Sequence, residues 1–123
     1  MFNCQKRGYG VEINESLLQK ANDAAQAKNI QHLVEFQFKS FLDDSFDLTF
    51  TNNGNKIYPT KLVLYMTSDA LSLVEKKLIE YLEKANKLGI DVKIMTNVFL
   101  IKNWKPIFSE QNLHMYDVTS IPK

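Results

Sequence analysis

The chain is poor in residues that staple or kink a backbone: its 123 residues include one cysteine, three prolines and four glycines. Cys4 alone cannot form an internal disulfide, and with only His32 and His114 beside it there is no zinc constellation. No apolar run approaches the roughly 18 residues of a membrane span. Met1 to Arg7 is too short for a signal peptide or a full transit sequence. Charge of one sign is also missing. With 15 Lys and Arg against 14 Asp and Glu, no overall field recruits nucleic acid or an anionic membrane. The expectation is an intracellular, reduced protein.

What is present is a globular composition, 45% hydrophobic and 24% charged, on a length that suits one domain with a core. The most informative stretch is residues 8–14, Gly-Tyr-Gly-Val-Glu-Ile-Asn, which reads as a short strand ending on a carboxylate and opening a helix. Ligands of open α/β sheets sit outside the carboxyl ends of the strands, so Glu12 is placed to hold the hydroxyls of a ribose. The competing reading is an ordinary strand-to-helix turn with a solvated glutamate.

From Asn14 the apolar residues Leu17, Leu18, Ala21, Ala24 and Ala25 follow helical spacing, which predicts a helix over 15–28 capped by Asn14 or Ser16. Val34, Phe36 and Phe38 alternate with polar residues, as in a strand with one covered face. The Asn-Asn-Gly-Asn run at 52–55 predicts a turn, with 47–51 and 56–58 pairing as a hairpin. Residues 61–66, Lys-Leu-Val-Leu-Tyr-Met, read as a central parallel strand covered on both faces. Ser68 or Asp69 caps the longest helix, whose stripe runs from Leu71 through Val74, Leu78, Tyr81, Leu82 and Ala85 to Leu88 and stops at Gly89. A strand over 91–96 completes a strand–helix–strand crossover, with Val63, Leu78 and Ile94 at the contact. Residues 97–106 are expected to be a loop, and 114–118 an edge strand.

In this order the segments resemble the class I S-adenosylmethionine-dependent methyltransferases, and among them a subgroup that includes the mitochondrial protein-lysine methyltransferases acting on ATP synthase and ADP/ATP carrier subunits. The likeness is carried by Gly10 to Asn14 with Leu17, Leu62 to Met66, Lys76 to Leu78, Val92 to Ile94, and Trp104 to Pro106. The resemblance implies an α/β fold with a Rossmann-like, mostly parallel methyltransferase sheet and S-adenosylmethionine as cofactor. It implies Glu12 and Asn14 on the ribose side and a substrate-side loop of Thr67, Ser68 and Trp104. It makes Asp69 the candidate for deprotonating an acceptor amine, a role that competes with helix capping.

The family's first strand and glycine-rich loop should precede Gly8, where only seven residues stand, so the expectation is a single partial domain over 1–123, truncated at its N-terminal strand. Lys39 and Ser40 stand where an adenine-contacting acid is usual, leaving Asp43 and Asp44 as substitutes. No Asn-Pro-Pro-aromatic signature is present, which argues against a nucleobase amine as acceptor. Two functions follow from the resemblance. One is a protein-lysine methyltransferase lineage, impaired or inactive as this chain, in the cytoplasm or mitochondrion. The other is a non-catalytic subunit of a larger complex, since a sheet missing a strand exposes backbone groups that another chain would cover.

Overall fold

The structure, a computed structural model, describes residues 8–12, 14–40, 43, 47–52 and 54–123. The chain forms two compact units, Met1–Phe46 and Asp47–Lys123.

In the first unit β1 (Gly8–Glu12) is followed by α1 (Glu15–Ala27) and β2 (Val34–Phe38). The two strands pair in parallel, from Gly8 opposite Val34 to Glu12 opposite Phe38. Asn14 is extended (φ −97°, ψ 111°), and its side-chain oxygen accepts the Leu17 N–H at 3.1 Å, which satisfies one of the free donors of the first helical turn. The helix closes on Asn29 at φ 57°, with the Asn29 N–H on Gln26 O and the Ile30 N–H on Ala25 O, a Schellman ending with asparagine in the place glycine usually takes. Gly10 has a steric reason to be glycine: a Cβ there would lie 2.8 Å from the Phe36 ring across the pair.

The second unit opens with a hairpin, β3 (Phe50–Asn52) and β4 (Asn55–Ile57), whose turn holds Gly54 at φ 80°. Then come β5 (Lys61–Leu64), α2 (Ser68–Lys87), β6 (Lys93–Asn97), β7 (Phe108–Glu110) and β8 (Leu113–Tyr116). Four of these strands make one sheet in the order β5-β6-β8-β7. β5 and β6 are parallel, as a helical crossover requires, whereas β8 runs antiparallel to both β6 and β7. Sheets in both units thus contain a parallel pair, and the larger one is mixed. The tail strand expected at an edge, β8, is interior, because residues 108–110 form the edge strand beyond it.

One face of this sheet carries the core. Leu71, Val74, Leu78, Leu82 and Ala85 of α2 are buried together with Val92, Ile94, Thr96 and Tyr116. The stripe read from the sequence stops short at its end, since Leu88 is exposed. Gly89, at φ 76°, closes α2 with its N–H on Asn86 O and the Ile90 N–H on Ala85 O. The Tyr81 hydroxyl donates to the Pro59 carbonyl at 2.6 Å. Burial, aided by nearby Tyr58 and Asp47, pushes its pKa up to about 12.

Two expectations about β5 are corrected. The strand is not covered on both faces, and Val63 is not at the helix contact: Val63 is 58% exposed and Tyr65 76% exposed. The physical reason is the sheet order, which puts β5 at an end with α2 over only one face. The cap of α2 also moves by one residue, to Thr67, whose hydroxyl accepts the Ala70 N–H at 3.3 Å. After β6, Val98 takes φ 72°, a left-handed conformation that costs a β-branched residue energy, and its N–H donates to Asn112 O at 2.7 Å.

Candidate functional site

The strand-to-helix turn of the first unit is built around Glu12. β1 ends there, and the next described residue, Asn14, donates its backbone N–H to Glu12 Oε1 at 3.1 Å. The Asn14 side-chain oxygen is already committed to the Leu17 N–H. A half-buried carboxylate at the carboxyl end of a parallel strand is therefore oriented by its own backbone, with one oxygen held and the other able to accept from a ligand hydroxyl. The Asn14 amide nitrogen, which has no part in the cap, is a donor beside it. This arrangement suits a vicinal diol, which offers two O–H donors and accepts in return.

Asp43 is exposed, and its backbone N–H donates to Ser40 O at 3.2 Å. Asp44 lies outside the described residues. Glu12 and Asn14 are thus the two sequence candidates that the first unit joins by a hydrogen bond.

In the second unit Thr67, Ser68 and Asp69 form the exposed first turn of α2. Because Thr67 caps the helix, Asp69 is released from that occupation and sits in the first turn, where its charge favours the helix N-terminus. Trp104 is placed differently from the other candidates. Only 5% exposed, it donates its indole N–H to Glu75 Oε1 at 2.8 Å and packs edge-on against Tyr116 at 5.9 Å. It fastens the 98–106 loop to the middle of α2, two turns beyond Thr67. The Ile101 N–H, donated to the Tyr116 hydroxyl at 3.0 Å, fastens the same loop to β8.

Two features were not legible as site candidates. A cavity of about 190 Å³ is lined by Leu82, Asn86, Gly89, Ile90, Asp91, Val92 and Val118, at the opposite end of α2 from Thr67. Ser109 Oγ lies 2.9 Å from His114 Nδ1 across the β7–β8 hairpin, a pairing that only the strand register reveals. Asp91, the one acid lining the cavity, is bonded to the Lys93 ammonium at 2.6 Å. Among the described residues no three His, Cys, Asp or Glu side chains converge as metal ligands, and no helix is long and apolar enough to cross a membrane.

No family model matches the chain, and no curated protein matches its sequence. Among solved structures it is similar to an RNA methyltransferase from Salinibacter ruber in complex with S-adenosyl-L-homocysteine. The TM-score is 0.73 and the identity 19%, over 95% of this chain and 69% of that one. The chain thus has a methyltransferase-like α/β fold.

Proposed function

We propose that the protein is an S-adenosylmethionine-dependent methyltransferase-like protein in which Glu12, with Asn14, binds the cofactor ribose. The observation that carries this reading is the Glu12 carboxylate, held by the Asn14 N–H at the end of a parallel strand in a fold similar to that of a methyltransferase. Within each unit a parallel pair, β1–β2 in the first and β5–β6 in the second, has the pairing that a Rossmann-like sheet uses. The residues present fit the ribose part of the cofactor by this donor and acceptor set. The glycine stretch at 8–10 does not fit the methionine part, because Gly10 serves the packing of Phe36 within a strand.

The acceptor we assign is a protein lysine amine, on the segments that resemble the lysine methyltransferases. Methyl transfer to an amine is an in-line displacement, so the protein's contribution is positioning and a neutral nucleophile. Asp69, free of capping duty, is the candidate to take the ammonium proton. The neighbour named above acts on RNA, which supplies the competing acceptor. A net charge of +1 offers no field to gather a polyanion, and this favours the peptide.

Calorimetric titration with S-adenosylhomocysteine tests the ribose site. Weak binding that Glu12→Ala lowers further, by up to roughly 3 kcal/mol for a charged hydrogen bond, supports the reading. Binding unaffected by Glu12→Ala would refute it. Labelled methyl transfer to a peptide but not to RNA supports the acceptor assignment, and the reverse overturns it. A second reading, a non-catalytic interaction subunit, is favoured by the exposed side chains of β5.

A further inference from the structure

The connection from β6 to β7 reverses its backbone at two points, Val98 at φ 72° and Asn103 at φ 70°. Each sits in a turn of its own. The Phe99 N–H donates to Asn97 O at 2.9 Å, which closes a γ-turn on Val98. With φ positive this is the left-handed form of the γ-turn, which is rare and strained. The Trp104 N–H donates to Ile101 O at 3.1 Å, closing a β-turn with Asn103 in its third position, where asparagine accepts positive φ.

On either side of these turns the chain is fastened. The Val98 N–H is held by Asn112 O at 2.7 Å, and the Trp104 indole by Glu75 at 2.8 Å. Between them one side chain goes inside, that of Ile101, whose N–H donates to the Tyr116 hydroxyl at 3.0 Å. Phe99, Leu100, Lys102 and Asn103 are exposed. Every group named here belongs to the second unit.

Two gains therefore stand against one cost. Closing the segment buries one isoleucine and makes one neutral hydrogen bond, and it strains a β-branched residue in the left-handed region. Rotation about the Val98 and Asn103 backbones loses the two gains and releases the strain. The Val98 N–H and the Trp104 indole lie outside the rotating bonds, so β6, β8 and α2 keep their pairing and packing.

We infer that residues 98–103 are a hinged strap, latched by Ile101 on Tyr116, which opens while the rest of the second unit stays folded. Val98 and Asn103 are its hinges. Opening uncovers the Tyr116 hydroxyl, fully buried when the strap is closed, and the recess that Ile101 fills. The strap leaves the sheet at the carboxyl end of β6, where ligands of open α/β sheets sit, so its opening governs access there.

Amide hydrogen exchange of the 123-residue chain in rising urea tests this, read at Ile101 and, for reference, at Leu78 in α2. An opening that exposes little surface is insensitive to low urea, whereas exchange through unfolding of the whole unit accelerates with it. Ile101 should exchange at a rate that low urea leaves unchanged, and Leu78 at one that rises. Val98→Asn removes the strain and keeps the closed form, because asparagine accepts positive φ. The strain is released in the open strap and in the unfolded chain alike, so this variant should slow both amides by about tenfold. Tyr116→Phe withdraws the acceptor and should speed Ile101 relative to Leu78 by roughly two- to tenfold.

Ile101 exchange that rises with urea in step with Leu78 overturns the inference, since the segment then opens only with the unit. A Val98→Asn variant in which Ile101 is not slowed also overturns it, because Val98 then keeps its conformation in the open form and is no hinge. So does a folded Tyr116→Phe variant with Ile101 exchange unchanged. Val98→Asn, at an exposed position, decides alone if the buried Tyr116→Phe fails to fold.

Discussion

Replacing Trp104 with phenylalanine separates a packing role from a substrate-side role for this side chain. The indole is 5% exposed, gives its N–H to Glu75 at 2.8 Å and stands edge-on to Tyr116 at 5.9 Å. Phe keeps a ring against Tyr116 but cannot donate. A hydrogen bond to a charged acceptor contributes about 1.5–3 kcal/mol. The volume lost from the bicyclic ring adds about 1 kcal/mol for a methylene-sized gap. Glu75 is only half-buried and regains water, which pulls the sum toward its lower part, about 2.5–3 kcal/mol. For a chain of this size that lowers Tm by roughly 3–5 °C per kcal/mol. Urea denaturation should show the midpoint falling with the slope unchanged. Glu75→Gln keeps an acceptor for the indole and should cost under about 1 kcal/mol. If Trp104→Phe costs less than about 0.5 kcal/mol while weakening S-adenosylhomocysteine binding, the packing argument is refuted and the indole belongs to the ligand side.

Leu78→Ala, at a side chain 2% exposed beneath α2, should cost about 2–5 kcal/mol by leaving a cavity. Glu83→Ala on the exposed face of the same helix should cost under about 0.5 kcal/mol, and equal effects in urea would mean the helix faces are misassigned. Tyr81, with a folded-state pKa of about 12, sets an alkaline limit. Its pKa lies above the unfolded value near 10, so its contribution is complete below about pH 10 and is lost as pH rises toward 12. Tyr81→Phe should flatten the fall in stability across that window, and ultraviolet titration of tyrosinate should lose a late-ionising component in the variant.

The helices were legible because their signals are local. Asn14, the spacing of Leu71, Val74 and Leu78, and Gly89 each act within a turn or two, and the structure uses each as read. The environment of β5 was not. A run such as Leu-Val-Leu says that a strand forms, but its neighbours in the sheet are chosen by distant segments, and those leave Val63 exposed. β7 was missed because three residues at 108–110 make too short a pattern, and the strand exists through its pairing with Leu113 to Met115. Of the candidate site, the carboxylate turn at Glu12 was visible as strand, acid and cap. Trp104 was read, through the resemblance, as part of a substrate-side loop; its packing was not legible, because its partner Glu75 stands 29 positions earlier in the chain.

Val98 stands where β6 leaves the sheet, at the carboxyl end of a parallel strand, with φ 72° and its N–H fixed on Asn112. A valine held there stores on the order of 1–3 kcal/mol that glycine or asparagine would release. The residue is 51% exposed, so its side chain gains little from burial to offset that. The turn therefore behaves as a loaded spring that the rest of the fold keeps compressed. A selection for heat resistance alone, applied to random variants of this chain, should enrich glycine or asparagine at position 98 ahead of changes in the well-packed interior.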